Sequence, residues 1–461
     1  MAATVKIKGY SDTTTSILIP QVASLKKFVV NFRRGKTFTD EHGNISDYQG
    51  QYGFDWLRDE YIYSSGGPNP LCTNIDSLKK RYKTTKYSIT PYGKDYYPAW
   101  LSIFPYTKTE KFAHGSTMHR SGVSLDLEIE ELETLSNDAT KLLFESGDKN
   151  LIITPQEINL SSLIIKKETK NLGSGLIRNF YHSEDVINVK SQEEPLTKHT
   201  EIKVFAQLGS QKKEVGKLMV YQNNEIPKAE FVAINVIAGT TTAALREDFQ
   251  FNIARQSFNQ ALIRAQVKVD TNFNINALPA DDSDVKDFKK KYLGKPRNDL
   301  SFGLSNTALE PYLKAFTSDL IYLYEKFGKH APTTGSTGLI EGNTNKKTYL
   351  FFTQLNAGGV RGMATSDGYD WGNAYIVYKA GLLNRRTICH EAAHSFSLPH
   401  TFEPVGPPPH RFKQGYTDNI MDYTWGPTIN NNPFNVNDKM FSFFKWQWDI
   451  LRQDRSLIHT Y

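Results

Sequence analysis

Cysteine is nearly absent: Cys72 and Cys389 are the two in 461 residues. Two thiols cannot staple a secreted mini-scaffold, so the fold must rest on an apolar core. No apolar run reaches the roughly 20 residues of a membrane-spanning helix, so no span is expected. The opening stretch MAATVKIKGYSDTTTS has neither an apolar core nor a small-residue cleavage site. No classical signal peptide is therefore expected, and the chain is expected to be cytoplasmic as made. Positive charge is not concentrated either. There are 55 Lys and Arg against 49 Asp and Glu, a formal net charge of +6 with no dense basic block. Nucleic acid is not an expected partner. No repeat of solenoid period occurs.

What is present is ordinary globular composition, and 461 residues exceed what one core usually serves. The expected fold is multidomain, a β-rich N-terminal half followed by an α/β domain. Strands are expected over 4–8 and 27–32, with a boundary at 107–116. Strict alternation then recurs over 123–129, 201–206 and 217–221, the pattern of a β-sandwich. The class changes near Ile226. A buried-type strand over 231–237 precedes an expected long helix over 243–265, marked by Leu245, Phe249, Ile253 and Leu262. Further strands are expected at 266–269, 348–353 and 374–378, and helices at 307–327 and 438–453. Three domains follow: 1–112, β-rich; 113–225, β-sandwich-like; and 226–461, α/β.

The chemistry concentrates in residues 390–400, HEAAHSFSLPH. Asn384 is a suitable N-cap for a helix over 385–396. On that helix His390 and His394 share a face, with Cβ atoms about 5–6 Å apart. Two imidazoles so placed can bind one zinc ion, and His400 is the natural third ligand once the chain turns back. Glu391 can lie beside the metal without binding it, where a general base takes the proton of the attacking water. Chance produces His-Glu-x-x-His in such a chain at roughly the per cent level, and His400 lowers that about forty-fold.

The set His390, Glu391, His394 and His400 resembles the metzincin zinc metallopeptidases, whose helix motif is followed by a methionine turn. Asp418-Asn419-Ile420-Met421-Asp422-Tyr423 is similar to that turn. The wording HTF at 400–402 with NIMDY at 419–423 looks most like the pappalysin-like branch. The resemblance covers 229–461. It implies a zinc endopeptidase acting on protein or peptide, with Met421 as the floor of the site and Tyr423 as a group that touches zinc or steadies the oxyanion. It also implies an edge strand at 373–378, with Asn373, Ala374 and Tyr375 pairing to the substrate, and a cleft-shaping loop at 358–362. One residue departs from the family pattern: Ser397 stands where the family has glycine. If the turn needs positive φ, serine costs on the order of 1 kcal/mol there. The alternatives are a degenerate zinc-holding binding protein, or a hydrolase of amides in a cell-wall polymer. By analogy with bacterial toxins of this look, 1–225 is expected to serve targeting, docking or delivery, with non-classical export such as a contractile injection system.

Bland readings hold elsewhere. Cys72 is read as a small buried hydrophobe rather than an inhibitory zinc thiolate. Cys389 is read as packed, His410 as a solvated loop histidine, Phe444 to Trp448 as core, and Tyr52 to Arg58 as strand packing.

Overall fold

The computed structural model describes residues 24–64, 69–84, 86–106, 116–239, 242–331, 346–364, 373–403, 409–436 and 439–459. The strand expected over 4–8 lies outside them, as does 107–115 of the expected boundary.

Among the described residues, alternating and aromatic-rich segments of the first half become thirteen strands. They are β1 (Phe28–Arg34), β2 (Thr37–Thr39), β3 (Ile45–Asp47), β4 (Gly53–Asp55) and β5 (Ala99–Ser102). Next come β6 (Val123–Glu131), β7 (Lys141–Ser146), β8 (Leu151–Thr154) and β9 (Glu157–Asn159). The last are β10 (Lys167–Asn171), β11 (Ile177–Ser191), β12 (Thr200–Leu208) and β13 (Gln211–Val220). Two short helices lie among them, α1 (Asp59–Ile62) and α2 (Ile75–Tyr82).

Eleven of these strands form one mixed sheet, with a main path β10-β11-β6-β1-β13-β12-β7-β9. The strands expected to make a sandwich are thus joined edge to edge. β11 makes this possible: it is 15 residues long, carries a bulge between Ser183 and Ile187, and pairs with β6, β8 and β10. The sheet also crosses the boundary expected at residue 112. β1 pairs with β6 and β13, and β5 pairs with β13.

The second half holds β14 (Lys228–Ile237), β15 (Arg264–Asn274), β16 (Lys347–Thr353), β17 (Gly362–Ala364) and β18 (Asn373–Val377). Its helices are α3 (Phe249–Arg255), α4 (Ser283–Tyr292), α5 (Asn306–Phe327), α6 (Arg385–Ser395), α7 (Pro433–Val436) and α8 (Lys445–Leu451). The sheet order is β15-β14-β16-β18-β17, with β17 antiparallel to β18 and the other pairings parallel. Near-continuous apolar runs such as Phe231 to Ile237 suit parallel strands covered on both faces. Val232, Ile234, Tyr349, Phe351 and Ile376 pack with residues of α4 and α5. Phe231, Ala233, Leu350, Phe352 and Val377 face the other way. There they share one core with α6 residues Ile388 and Ala392 and with Phe32, Leu127 and Leu218 of the first sheet. The class of structure changes near Ile226, while the apolar core continues across it. None of the helices described is long and apolar enough to cross a membrane.

Two expected helices are shorter than their apolar spacing implies. The one over 243–265 reduces to α3, a 3-10 turn at Phe258–Ala261 and the start of β15. The apolar face at 245, 249 and 253 meets Ser257 at its next position. Ser257 Oγ donates to the carbonyls of Asn252 and Ile253, and Leu262 adopts φ 56°. The C-terminal helix begins only at Lys445 because the chain before it is extended: Gln260 Nε2 donates to the Phe441 carbonyl (2.7 Å), and the Phe443 N–H donates to Gln260 Oε1 (2.9 Å).

His119 fixes a junction in this core. Its Nδ1 accepts the Phe104 N–H (2.8 Å), its Nε2 donates to the Gln51 carbonyl (2.9 Å), and it is fully buried. Burial lowers its pKa from 6.5 to about 4. The unfolded chain takes up this proton first, so the contribution is complete above 6.5 and is lost as pH falls to about 4. The loss is roughly 3 kcal/mol. Urea unfolding should show the stability advantage of wild type over His119→Asn shrinking across that window. A difference independent of pH would contradict this assignment.

Candidate metal centre

Asn384 Oδ1 accepts the Thr387 N–H at 2.8 Å and starts α6. The helix ends in a Schellman turn: the Ser397 N–H donates to the His394 carbonyl (2.9 Å) and the Leu398 N–H to the Ala393 carbonyl (3.1 Å). Ser397 takes φ 67°, the left-handed conformation that glycine would hold more easily. This turn redirects the chain so that His400 comes back over the helix. The Leu398 carbonyl it exposes is a partner for His394.

His390, His394 and His400 converge. Their Nε2 atoms lie 3.0 Å (His390–His394), 3.0 Å (His394–His400) and 3.2 Å (His390–His400) apart. Tetrahedral ligand nitrogens about 2.0–2.1 Å from an ion stand about 3.3 Å from one another. The other ring nitrogens settle the tautomers. His390 Nδ1 donates to the Ile420 carbonyl (2.8 Å), His394 Nδ1 to the Leu398 carbonyl (2.6 Å) and His400 Nδ1 to Glu403 Oε1 (2.6 Å). Each Nδ1 therefore carries the hydrogen, and three Nε2 lone pairs face one point. A proton is a poor occupant for that point. Burial pushes the imidazole of His394 down to about 3 and that of His400 down to about 4. It lowers His390 well below its usual value. The donor set fits a metal cation.

Glu391 is buried, and burial pushes its carboxyl up to about 8 against the pull of the Arg386 guanidinium; it also accepts the Ala364 N–H. It lies against Gly362, where a Cβ would fall 2.5 Å from Glu391 Cγ. The general-base candidate is thus pressed onto β17. That strand, not 373–378, is the sheet edge. Tyr375, Ile376 and Val377 pair with β16 on one side and β17 on the other. Asn373, Ala374 and Tyr375 are all buried, and Asn373 Nδ2 donates to Asp454 Oδ1 (2.8 Å). Asn373 to Tyr375 therefore belong to an interior strand, and among the described residues Gly362–Ala364 is the strand at this end of the sheet. The glycines of the expected cleft loop do turn the chain, with Gly358 at φ 61° and Gly359 at φ 89°.

Met421 is fully buried. Its carbonyl accepts the Thr401 N–H (3.2 Å), while the neighbouring Ile420 carbonyl takes His390. The methionine segment is thereby tied to the chain after the third histidine and to the first. The Tyr423 ring stands 4.6 Å from His400 and 6.2 Å from His390 between centroids. Burial raises its hydroxyl to about 12, so it remains a donor at neutral pH. Arg386 Nη1 donates to the carbonyls of Ile420 (3.2 Å) and Asp422 (2.5 Å). It also lies 3.3 Å from His390 Nδ1, a second donor that shares the Ile420 carbonyl with it.

Arg386 and Glu403 escaped the sequence reading, and Gly362, expected in the cleft-shaping loop, begins β17. The i,i+4 spacing from Arg386 to His390 and the i,i+3 spacing from His400 to Glu403 were the available signals. Cys72 is buried and bridges to Phe412, and Cys389 is buried in the core, as read from the sequence. His410 is not solvated: it is 3% exposed, beside Phe412 and Trp446. Trp446 and Trp448 are core residues.

No family model matches the chain, and no curated protein does. A solved structure described as "Structure of a chaperone-substrate complex" is similar at 11% identity and a TM-score of 0.20. The match covers 63% of this chain and 41% of that one. A likeness so slight carries no argument.

Ser397 is exposed, so its replacement removes little besides backbone strain. Ser397→Gly is expected to stabilise the protein by up to about 1 kcal/mol in urea unfolding. A loss of stability would contradict the strain assigned here.

Proposed function

We propose that this chain is a zinc-dependent endopeptidase of metzincin type. The observation that carries the reading is the convergence of three oriented Nε2 lone pairs beside a buried glutamate that abuts β17, a strand paired on one side only among the described residues. The strand order with one antiparallel edge, the active helix, and a methionine turn fastened to the ligands support it further. His390, His394 and His400 would hold the ion. When bound, zinc supplies a Lewis acid that lowers the pKa of water towards about 7 and polarises a carbonyl.

The chain's own groups do the rest. An extended peptide would add to β17 through main-chain hydrogen bonds, which presents its scissile carbonyl beside Glu391. In its ionised form, which a cation on the three histidines would favour, Glu391 takes the proton of the attacking water and passes it to the leaving amine nitrogen. The Tyr423 hydroxyl donates to the oxyanion. Delivery by a contractile injection machine, with residues 1–225 recognising the machine or the target, is a proposal resting on resemblance alone. Export from a strain without such a machine would contradict it.

Wild type should carry one zinc per chain and cleave casein or a peptide library. Glu391→Ala should keep the zinc and lose at least 10³-fold in kcat/KM, on the order of 4 kcal/mol of barrier. Zinc-loaded wild type that cleaves nothing would contradict the endopeptidase reading and favour a zinc-holding binding protein.

Gly362 gives a second test. Gly362→Ala should leave zinc content unchanged and lower kcat at least ~10-fold, because the added methyl displaces the Glu391 carboxylate. Unchanged kcat would show that this placement of Glu391 is not the reactive one.

A further inference from the structure

The residue that opens the methionine segment, Asp418, is 2% exposed. Two arginines from the far N-terminal part of the chain hold it. Arg58 Nη2 donates to Oδ1 (2.9 Å) and Oδ2 (3.1 Å), and Arg34 Nη1 donates to Oδ2 (3.0 Å). Burial alone would raise this carboxyl; the guanidiniums of Arg58 and Arg34 overcome it and hold the group below its usual range. The arginines are themselves fixed. Arg58 lies 4.0 Å over the Trp56 ring and 3.4 Å from Asp55 Oδ1, and Arg34 lies 4.9 Å over Tyr48 and 5.0 Å over Phe441. Asp55 Oδ2 in turn accepts the Tyr82 hydroxyl (2.8 Å) and the Lys445 N–H (2.8 Å). Asp55, Arg58, Asp418 and Arg34 form a network with no net charge.

From Asp418 the connections lead to the metal ligands. Its carbonyl accepts the N–H and the hydroxyl of Ser442, each at 3.1 Å. The Ser442 carbonyl accepts the Ile420 N–H (2.9 Å), and the Ile420 carbonyl accepts His390 Nδ1–H (2.8 Å). Arg34 and Arg58 also line a cavity of about 350 Å³, together with Arg33, Trp56, Glu128 and Lys170. The clamp therefore links a charged cavity of the first sheet to the orientation of one histidine.

We propose that Asp418, gripped by Arg34 and Arg58, is a positioning residue for the metal centre. The N-terminal sheet then sets the histidine geometry and is not a detachable module. The inference rests on the metal-binding reading above. The alternative is that the clamp only stabilises the fold, and a spectroscopic readout separates the two.

The full chain is stripped of metal and loaded with Co2+, whose visible absorption reports ligand geometry. The variants are Asp418→Asn, the charge-preserving Arg58→Lys, and Glu128→Gln. The last weakens the pair of Glu128 with Arg33 (2.6 Å), which lines the same cavity but is not among the groups that hold Asp418, so it separates the clamp from the cavity around it. Far-ultraviolet circular dichroism selects the variants that fold, and Arg58→Lys stands in if Asp418→Asn does not. The expected result is a displaced and weaker cobalt band, with affinity lowered about tenfold, for Asp418→Asn and Arg58→Lys. Glu128→Gln should keep the wild-type band. A folded Asp418 or Arg58 variant with the wild-type spectrum and affinity would overturn the proposal. So would an equal change in Glu128→Gln. Wild type that takes up no cobalt would overturn the metal reading and this one together; uptake indifferent to Asp418 would overturn this one alone.

Discussion

The structure depends on three hydrogen bonds that point away from the place where chemistry would occur. Ile420, Leu398 and Glu403 each accept from the Nδ1 of one histidine. That choice leaves every Nε2 lone pair aimed at the others, an arrangement that repels itself unless a cation is shared. The three acceptors come from three different local devices: a turn before a buried methionine, a helix C-cap, and a carboxylate three residues past His400. Folding must therefore place each of them before the histidines can converge.

Much of the surrounding structure can be understood as support for those acceptors. The Leu398 carbonyl is available because Ser397 accepts a left-handed conformation. The Ile420 carbonyl accepts from Arg386 on α6, and the Ile420 N–H donates to the Ser442 carbonyl of the extended segment. That segment stays extended because Gln260 bonds to it from within the core. The Asp418 side chain is gripped by the first sheet. A break in a buried ion network of this kind leaves an unpaired charge and typically costs about 3–5 kcal/mol. The first sheet and α6 consequently behave as parts of one packed body, joined by a single apolar core.

The legible part of this was local. His390, Glu391 and His394 share a helix, so their relation follows from its pitch, and His400 required only that the helix end where Pro399 and Ser397 interrupt it. Long apolar strands such as β14 and β16 were legible from their runs. β17 was not, because Gly362–Ala364 is three residues long and too short for any alternation to show. The long helix expected over 243–265 failed for the opposite reason: its apolar spacing was helical, but Ser257 bonds back to the preceding carbonyls and ends it. Pairing between Arg58 and Asp418 spans 360 residues, and no single-sequence pattern carries such a contact. His410 was misread because its loop is polar and Pro-rich, while its burial comes from Phe412 and Trp446.

The central claim is that the three Nε2 atoms bind one zinc ion and that no thiolate or carboxylate of the protein completes the set. X-ray absorption at the zinc edge of the purified protein tests it most directly. The account predicts three imidazole nitrogens at about 2.0–2.1 Å, with multiple scattering from three histidine rings and one further light atom from water. A sulfur shell at about 2.3 Å, or fewer than three imidazoles, would contradict it.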